Sequence, residues 1–224
     1  MDILITATPP QNLLLFEQYR PRAWDEVAGQ DKAIKQIQVV ARRGLGGRAF
    51  WLSGKSGTGK TTIARLIAAE IADEIFVQEL DASKLTMAAL TEIENEMMYT
   101  AWGKGGRAIL INEAHGLRKD AIRQLLVFLE RIPSHVVVIF TTTLQGQMDL
   151  FESSIDANPL LSRCIEIQLA QRDLAHPFAE RAQTIAQQTN LDGKGLNDYV
   201  KLMQRCGNNL RKALEEIEKG AMLD

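Results

Sequence analysis

The run Gly54-Lys55-Ser56-Gly57-Thr58-Gly59-Lys60-Thr61 sets glycines, a lysine and a hydroxyl at the spacing of a phosphate-cradling loop. Glycines let the backbone turn tightly, so that successive N–H groups point at one anion. A helix that begins where the loop ends adds its positive end to those donors. In such an arrangement Lys60 reaches the β- and γ-phosphates of a nucleoside triphosphate, and Thr61 offers its hydroxyl to Mg²⁺. Thr62 follows in the same first helical turn and is counted with the cradle. The flanks agree with this chemistry: the apolar run Ala49-Phe50-Trp51-Leu52 precedes the loop, and Ile63-Ala64-Arg65-Leu66-Ile67-Ala68 continues it as a helix. A chance glycine-rich turn would lack that context.

A second chemical pair ends the next long apolar run, at Ile111-Asn112-Glu113-Ala114-His115. Phosphate-loop enzymes carry an acidic pair here, the first carboxylate anchoring the magnesium hydration shell and the second orienting the attacking water. Glu113 keeps the second role. Asn112 stands where the first acid is expected, and its amide oxygen can accept a hydrogen bond from metal-bound water but brings no negative charge. Weaker Mg²⁺ binding and slower hydrolysis are the expected consequences, and Asn112→Asp should reverse both. The plainer alternative is that Asn112 merely ends a buried strand, against which stands the poor strand propensity of asparagine. His115, a single histidine in a loop, is given no role.

Residues with these tasks need a rigid scaffold. Apolar runs at Ala49-Phe50-Trp51-Leu52, Ile75-Phe76-Val77, Ala108-Ile109-Leu110-Ile111, Val136-Val137-Val138-Ile139-Phe140 and Ile165-Glu166-Ile167-Gln168-Leu169 alternate with helical patterns. That alternation predicts an α/β fold, a five-stranded parallel sheet with helices on both faces. Between the third and fourth runs, Leu117, Ala121, Ile122, Leu125, Leu126 and Leu129 recur at helical spacing and Pro133 ends the pattern. After Leu169 the chain reads as helical around 171–190, 195–206 and 208–220. The expected organisation is an N-terminal arm over 1–18, a nucleotide-binding α/β domain over 19–170 and a small all-helical lid domain over 171–224.

Composition narrows the class further. With 46% hydrophobic and 24% charged residues over 224 positions and a formal charge of −2, the chain has an ordinary globular makeup and no uniform basic field. Any nucleic acid must therefore meet a local patch, and the cluster Arg42, Arg43 and Arg48 reads more simply as a solvated helix end and loop. Two cysteines, Cys164 and Cys206, are too few for a disulfide framework or a zinc site, which suits a reducing cytoplasm. The opening Met1-Asp2-Ile3-Leu4-Ile5-Thr6 runs into Pro9-Pro10 and reads as neither signal nor membrane span.

Further motifs carry a family resemblance. Tyr19-Arg20-Pro21, with Trp24-Asp25-Glu26-Val27 and Gly29-Gln30, resembles the segment ahead of the P-loop in clamp-loader subunits, where it helps form the adenine pocket. Thr141-Thr142-Thr143 looks like their sensor-1 position, Leu161-Ser162-Arg163-Cys164 is similar to their Ser-Arg-Cys motif, and Gly207-Asn208-Asn209-Leu210-Arg211-Lys212-Ala213-Leu214 resembles their sensor-2 helix. In order and spacing these pieces span 19 to about 220, and the chain looks like an AAA+ P-loop NTPase of the clamp-loader clade. The resemblance implies ATP and Mg²⁺, Lys60 and Glu113 in catalysis, Thr61 and Asn112 at the metal, and Thr142 near the γ-phosphate. Thr141 and Thr143 remain alternatives for Thr142, as does a bare β-branched strand end.

The resemblance also makes Arg163 an arginine finger and Arg211 the lid residue that senses nucleotide. Arg211 is independently odd, a cation in the first turn of a helix read as capped by Asn208 and off the apolar stripe Leu210, Ala213, Leu214 and Ile217. An exposed arginine at a helix start is the plain alternative. Arg163 precedes the last strand, so five residues at about 3.3 Å put it about 17 Å from the nucleotide edge. If it is a finger it serves a neighbour, and otherwise it anchors its own loop. The implied function is ATP hydrolysis between subunits of an oligomer, with other AAA+ subunits, DNA or a DNA-bound protein ring as partners in replication or repair, and no membrane. A binding switch with little hydrolysis and a helicase or protein loader from a mobile element are the alternatives. The collar domain and zinc-binding insert of clamp loaders, and the winged-helix domain of branch-migration motors, have no counterpart in the sequence read.

Overall fold

The computed structural model describes residues 13–153 and 157–223. Most of the expected arm, including Pro9 and Pro10, lies outside them. The described chain divides into two compact units, one over residues 22–171 and one in which residues up to Pro21 join residues 172–223.

The first unit is a five-stranded sheet with every pairing parallel, in the order β2-β3-β4-β1-β5. The strands are β1 (Arg48–Ser53), β2 (Val77–Asp81), β3 (Arg107–Asn112), β4 (Val136–Thr142) and β5 (Ile165–Gln168). Alternate residues point to opposite faces, so the three inner strands each feed two cores. Phe50, Leu52, Leu110 and Ile139 pack with Ile37 of helix α2 (Asp31–Ala41) and Ile63 and Ile67 of α3 (Lys60–Ile71). Trp51, Ile109, Ile111 and Phe140 pack with Leu90 and Ile93 of α4 (Met87–Met97) and Ile122 and Leu125 of α5 (Lys119–Leu129). Two short helices, α6 (Leu144–Ser153) and α7 (Ala157–Ser162), lead from β4 to β5. The expected parallel sheet with helices on both faces is therefore the observed one.

One strand is displaced from its expected position. The apolar run Ile75-Phe76-Val77 is mostly a 3₁₀ turn over Glu74–Phe76, and Ile75 is 84% exposed. The strand begins at Val77 and runs through the polar Gln78, Glu79 and Asp81. β2 is one of the two edges of the sheet, and none of its residues is fully buried, so apolar content does not mark it.

The second unit is helical. α8 (Ala175–Gln188), α9 (Leu196–Arg205) and α10 (Leu210–Glu218) bury Phe178, Ile185, Tyr199, Met203, Leu214 and Ile217. The short α1 (Leu15–Gln18) packs against α10, and Arg181 Nη2 donates to the Tyr19 carbonyl at 3.3 Å. These contacts group residues 13–21 with the helical unit, whereas the sequence reading set an arm apart at 18 and began the sheet domain at 19. The helix cap also moves by one residue: Asn209, not Asn208, accepts from the Lys212 N–H at 3.1 Å, while Asn208 takes a left-handed turn at φ 58°. Either asparagine suits a cap, and the turn decides between them.

Candidate functional site

The phosphate loop joins the end of β1 to the start of α3. Gly59 has φ 99°, a conformation that a side chain would strain, and it turns the chain straight into the helix. Lys60 is 7% exposed, and its Nζ donates to the carbonyls of Gly54 and Lys55 at 3.0 Å each, so the ammonium sits inside the loop. Thr58, 3% exposed, closes the turn from its Oγ1 to the Lys55 carbonyl at 2.8 Å. Lys55 and Ser56 face solvent, while Thr62 is buried beside the helix start.

Gln30 holds this loop in place, a role that its sequence position did not reveal. Its side chain is 1% exposed; Nε2 donates to the Thr58 carbonyl at 3.2 Å, and Oε1 accepts from the Ala170 N–H at 2.8 Å. The loop is thereby tied to the exit of β5.

Strand pairing brings the second site residue alongside. Ser53 pairs with Thr142, and Asp81 pairs with Asn112. On the face covered by α3, the alternation Ala108, Leu110 on β3 and Val137, Ile139 on β4 ends in Asn112 and Thr141, so polar groups replace the core at one level. Asn112 Oδ1 accepts from Thr141 Oγ1 at 2.9 Å and lies 3.5 Å from Thr61 Oγ1. Its amide nitrogen donates to Glu79 Oε1 at 2.8 Å, and Glu79 Oε2 in turn accepts from Arg65 Nε at 2.8 Å. Glu79 and Arg65 are site residues that sequence reasoning missed, and Thr141, there only an alternative to Thr142, is the threonine that the register sets beside Asn112.

The three consecutive threonines have three different environments. Thr141 faces α3 and Asn112. Thr142, fully buried on the opposite face, donates to the Thr143 carbonyl at 3.1 Å and lies 3.3 Å from His115 Nδ1. Thr143 Oγ1 accepts from the Gly146 N–H at 3.0 Å and so caps α6.

Glu113 has a left-handed backbone, φ 53° and ψ 50°, in a residue with a side chain. Such strain persists only where surrounding structure fixes it, and it gathers at functional sites. Its Oε2 lies 3.5 Å from His115 Nδ1, so His115, given no role above, stands between Glu113 and Thr142. The imidazole packs on Gly146, where an added Cβ would fall 2.4 Å from Nδ1.

Arg163 is placed elsewhere. It precedes β5 at the strand's N-terminal end, and its guanidinium meets Glu130 Oε1 at 2.5 Å and the Pro159 carbonyl at 3.0 Å. That pair holds the Glu130 carboxyl below the usual range, through the hydrogen bond first and the charge second. Tyr19, Arg20, Pro21 and Arg211 belong to the helical unit. There Arg211 is exposed with its guanidinium 5.0 Å above the Phe16 ring, and Arg20 pairs with Glu17. Cys164, which follows Arg163, has its thiol pushed up to about 12 by burial, so it is held as the thiol. Among the described residues no helix is long and apolar enough to cross a membrane.

Residues 50–169 match the family described as "ATPase family associated with various cellular activities (AAA)". Similar curated proteins include the DNA polymerase III subunit gamma of Buchnera aphidicola subsp. Schizaphis graminum, 31% identical over 153 residues, covering 58% of this chain and 42% of that one. The replication factor C small subunit of Methanothermobacter thermautotrophicus is 27% identical over 213 residues, covering 92% of this chain and 63% of that one. Among solved structures, the RuvB Holliday junction branch migration motor of Thermotoga maritima superposes with a TM-score of 0.67 at 22% identity, over 89% of this chain and 64% of that one. The chain thus spans less than two thirds of each of these relatives, and the last likeness concerns the fold alone.

Proposed function

The chain belongs to the ATPase family associated with various cellular activities (AAA), and from that premise we propose that it binds ATP with Mg²⁺ and hydrolyses it as one subunit of an oligomer. The reading rests on one gathering: the Lys60 ammonium inside its loop, Asn112 Oδ1 beside Thr61, and Glu113 next to them, all at the C-terminal edge of one parallel sheet. Ligands of parallel α/β sheets bind at that edge.

Lys60 leaves the Gly54 and Lys55 carbonyls to meet the β- and γ-phosphates, which take its donors in their place. Thr61 Oγ1 and Asn112 Oδ1 are oxygen donors of the kind Mg²⁺ accepts, and they would hold the ion and its water. When bound, the ion supplies charge neutralisation at the phosphate oxygens. Glu113 takes a proton from the water whose oxygen bonds to the γ-phosphorus. The bond from that phosphorus to the bridging oxygen breaks, and ADP and inorganic phosphate leave. Thr142, with Thr141 beside it, positions the γ-phosphate. Arg163 reaches a neighbouring subunit's nucleotide, while Arg211 senses the nucleotide and Tyr19, Arg20 and Pro21 serve the adenine. The resemblance to clamp loaders makes the work done the loading or remodelling of a DNA-associated protein ring.

One observation favours a second reading, a nucleotide-dependent binding switch. Asn112 brings no charge to the metal, and its amide nitrogen is turned to Glu79. Tight ATP binding with turnover that neither DNA nor a partner stimulates would select the switch.

The first test is Lys60→Ala in a titration with a fluorescent ATP analogue. Loss of two charge-assisted hydrogen bonds, about 3 kcal/mol or more, should weaken binding by at least about a hundredfold. Unchanged affinity in a folded variant ends the proposal.

A further inference from the structure

We propose that Glu79 is a positioning residue for the nucleotide site, one that turns the Asn112 carboxamide so that its oxygen faces Thr61 and so makes asparagine workable at that position. The inference rests on the reading that Thr61 and Asn112 serve Mg²⁺, and it concerns this chain's own residues.

A carboxamide has two nearly isosteric ends, and only its partners choose between them. On one side of Asn112 stand the hydroxyls of Thr61 and Thr141, 3.5 and 2.9 Å from Oδ1. A hydroxyl both donates and accepts, so these two would tolerate either end of the amide. On the other side stands Glu79 Oε1, 2.8 Å from the amide nitrogen. A carboxylate only accepts, and a flipped amide would set oxygen against oxygen there. Glu79 alone therefore fixes the orientation. Arg65 fixes Glu79 from behind, through Nε on Oε2 at 2.8 Å. The chain Arg65, Glu79, Asn112, Thr141 crosses from α3 over β2 and β3 to β4, and its result is an acceptor oxygen held on the Thr61 side.

An aspartate at position 112 would need no such help, because its two oxygens are equivalent. In this protein it would set a second carboxylate against Glu79, and like charges at hydrogen-bond distance repel. Asn112 and Glu79 thus form a matched pair, and Asn112→Asp alone does not simply restore the usual acid, contrary to the expectation from sequence.

The test is a cycle of four full-length proteins: wild type, E79Q, N112D and E79Q/N112D. Without nucleotide or metal, N112D should melt several degrees below wild type, and E79Q/N112D should recover, since a glutamine can donate to the new carboxylate. Affinity for a fluorescent ATP analogue is then measured in EDTA and across a Mg²⁺ titration. E79Q should leave affinity in EDTA unchanged and weaken the Mg²⁺-dependent part several-fold, because the amide is free to flip. E79Q/N112D should regain it, because a carboxylate needs no orienting. Additive melting shifts would overturn the pairing. A Mg²⁺-dependent affinity that E79Q does not change, or that the double variant loses as E79Q does, would overturn the positioning role. If wild type fails to bind the analogue at all, the nucleotide reading fails, and the melting cycle still decides the pairing on its own.

Discussion

At the C-terminal edge of the sheet, Thr58, Lys60, Thr141 and Thr142 are 3%, 7%, 1% and 0% exposed, and each makes a hydrogen bond inside the protein. At the N-terminal edge, Arg163 and Glu130 pair in the open, with side chains 33% and 55% exposed. Burying a polar group costs about 1–3 kcal/mol unless it is bonded, so the first edge is an ordered network that cannot be loosened cheaply. An exposed ion pair contributes little and can be exchanged for another partner. The contrast separates a buried, fully bonded edge from an arginine held only by exposed partners. On the proposed function, each edge would supply half of a catalytic site that two chains together complete.

The largest effect that could break this comparison is in hydrolysis. Glu113→Gln should keep ATP bound and lower turnover by roughly 10²–10⁴, the usual contribution of a general base. Arg163→Ala should lower turnover by up to about 10³–10⁵ if the arginine acts across an interface. A mixture of the two inactive variants should regain part of the activity, because some interfaces join an intact Glu113 to an intact Arg163. Full activity of Arg163→Ala in dilute solution would leave both edges serving one chain and end the contrast.

A smaller effect sharpens the other half of it. Gln30→Leu removes the bond to the Thr58 carbonyl of the phosphate loop and the two to the Ala170 backbone, and leaves the buried Thr58 carbonyl and the half-buried Ala170 N–H without that partner. The expected cost is about 1–3 kcal/mol, or roughly 2–12 °C in melting temperature for a chain of this size. Nucleotide affinity should fall with it. Arg163→Ala, by contrast, should leave the melting temperature unchanged within about a degree. Equal shifts for the two variants would mean that the edges are built alike.

The phosphate loop was legible in the sequence because its chemistry fixes both residue types and spacing. Three of the five strands, β1, β3 and β4, were legible because a parallel strand covered on both faces is apolar almost throughout, and β5, at one edge, was legible from the alternation of Ile165, Ile167 and Leu169 with Glu166 and Gln168. β2 was misplaced because this edge strand has no fully buried residue and so neither signature, and with it went Glu79, whose place beside Asn112 depends on the pairing of Asp81 with Asn112. The left-handed turn at Glu113 leaves no trace in residue type, since glutamate has no preference for it. Parity along β4 could have divided Thr141 from Thr142, had the face of each been read from the alternation of Val137 and Ile139 with Val138 and Phe140. Gln30 was quoted only as part of a motif, because no local pattern shows a side chain bonding to Ala170, far along the chain. What was lost in each case is a relation between strands or loops, which single-residue types do not encode.

The smallest expected effect tests whether Arg163 rests where the structure places it. The Glu130 carboxyl is held below its ordinary value of 4.5 by the Arg163 hydrogen bond and charge, with desolvation working the other way. A depressed folded value means that the pair's contribution is present above the ordinary value and is lost as pH falls through the folded one. The pair is open to solvent, so melting curves will hardly register that loss, and the carboxyl must be followed directly. In an NMR titration Glu130 should therefore titrate below 4.5 in the wild-type protein, and Arg163→Ala should return it to the ordinary range. Added salt should move the wild-type value the same way, since screening weakens an exposed pair. If Glu130 titrates alike in both proteins, it does not hold Arg163 at the N-terminal edge. The arginine would then keep only the Pro159 carbonyl as its resting partner.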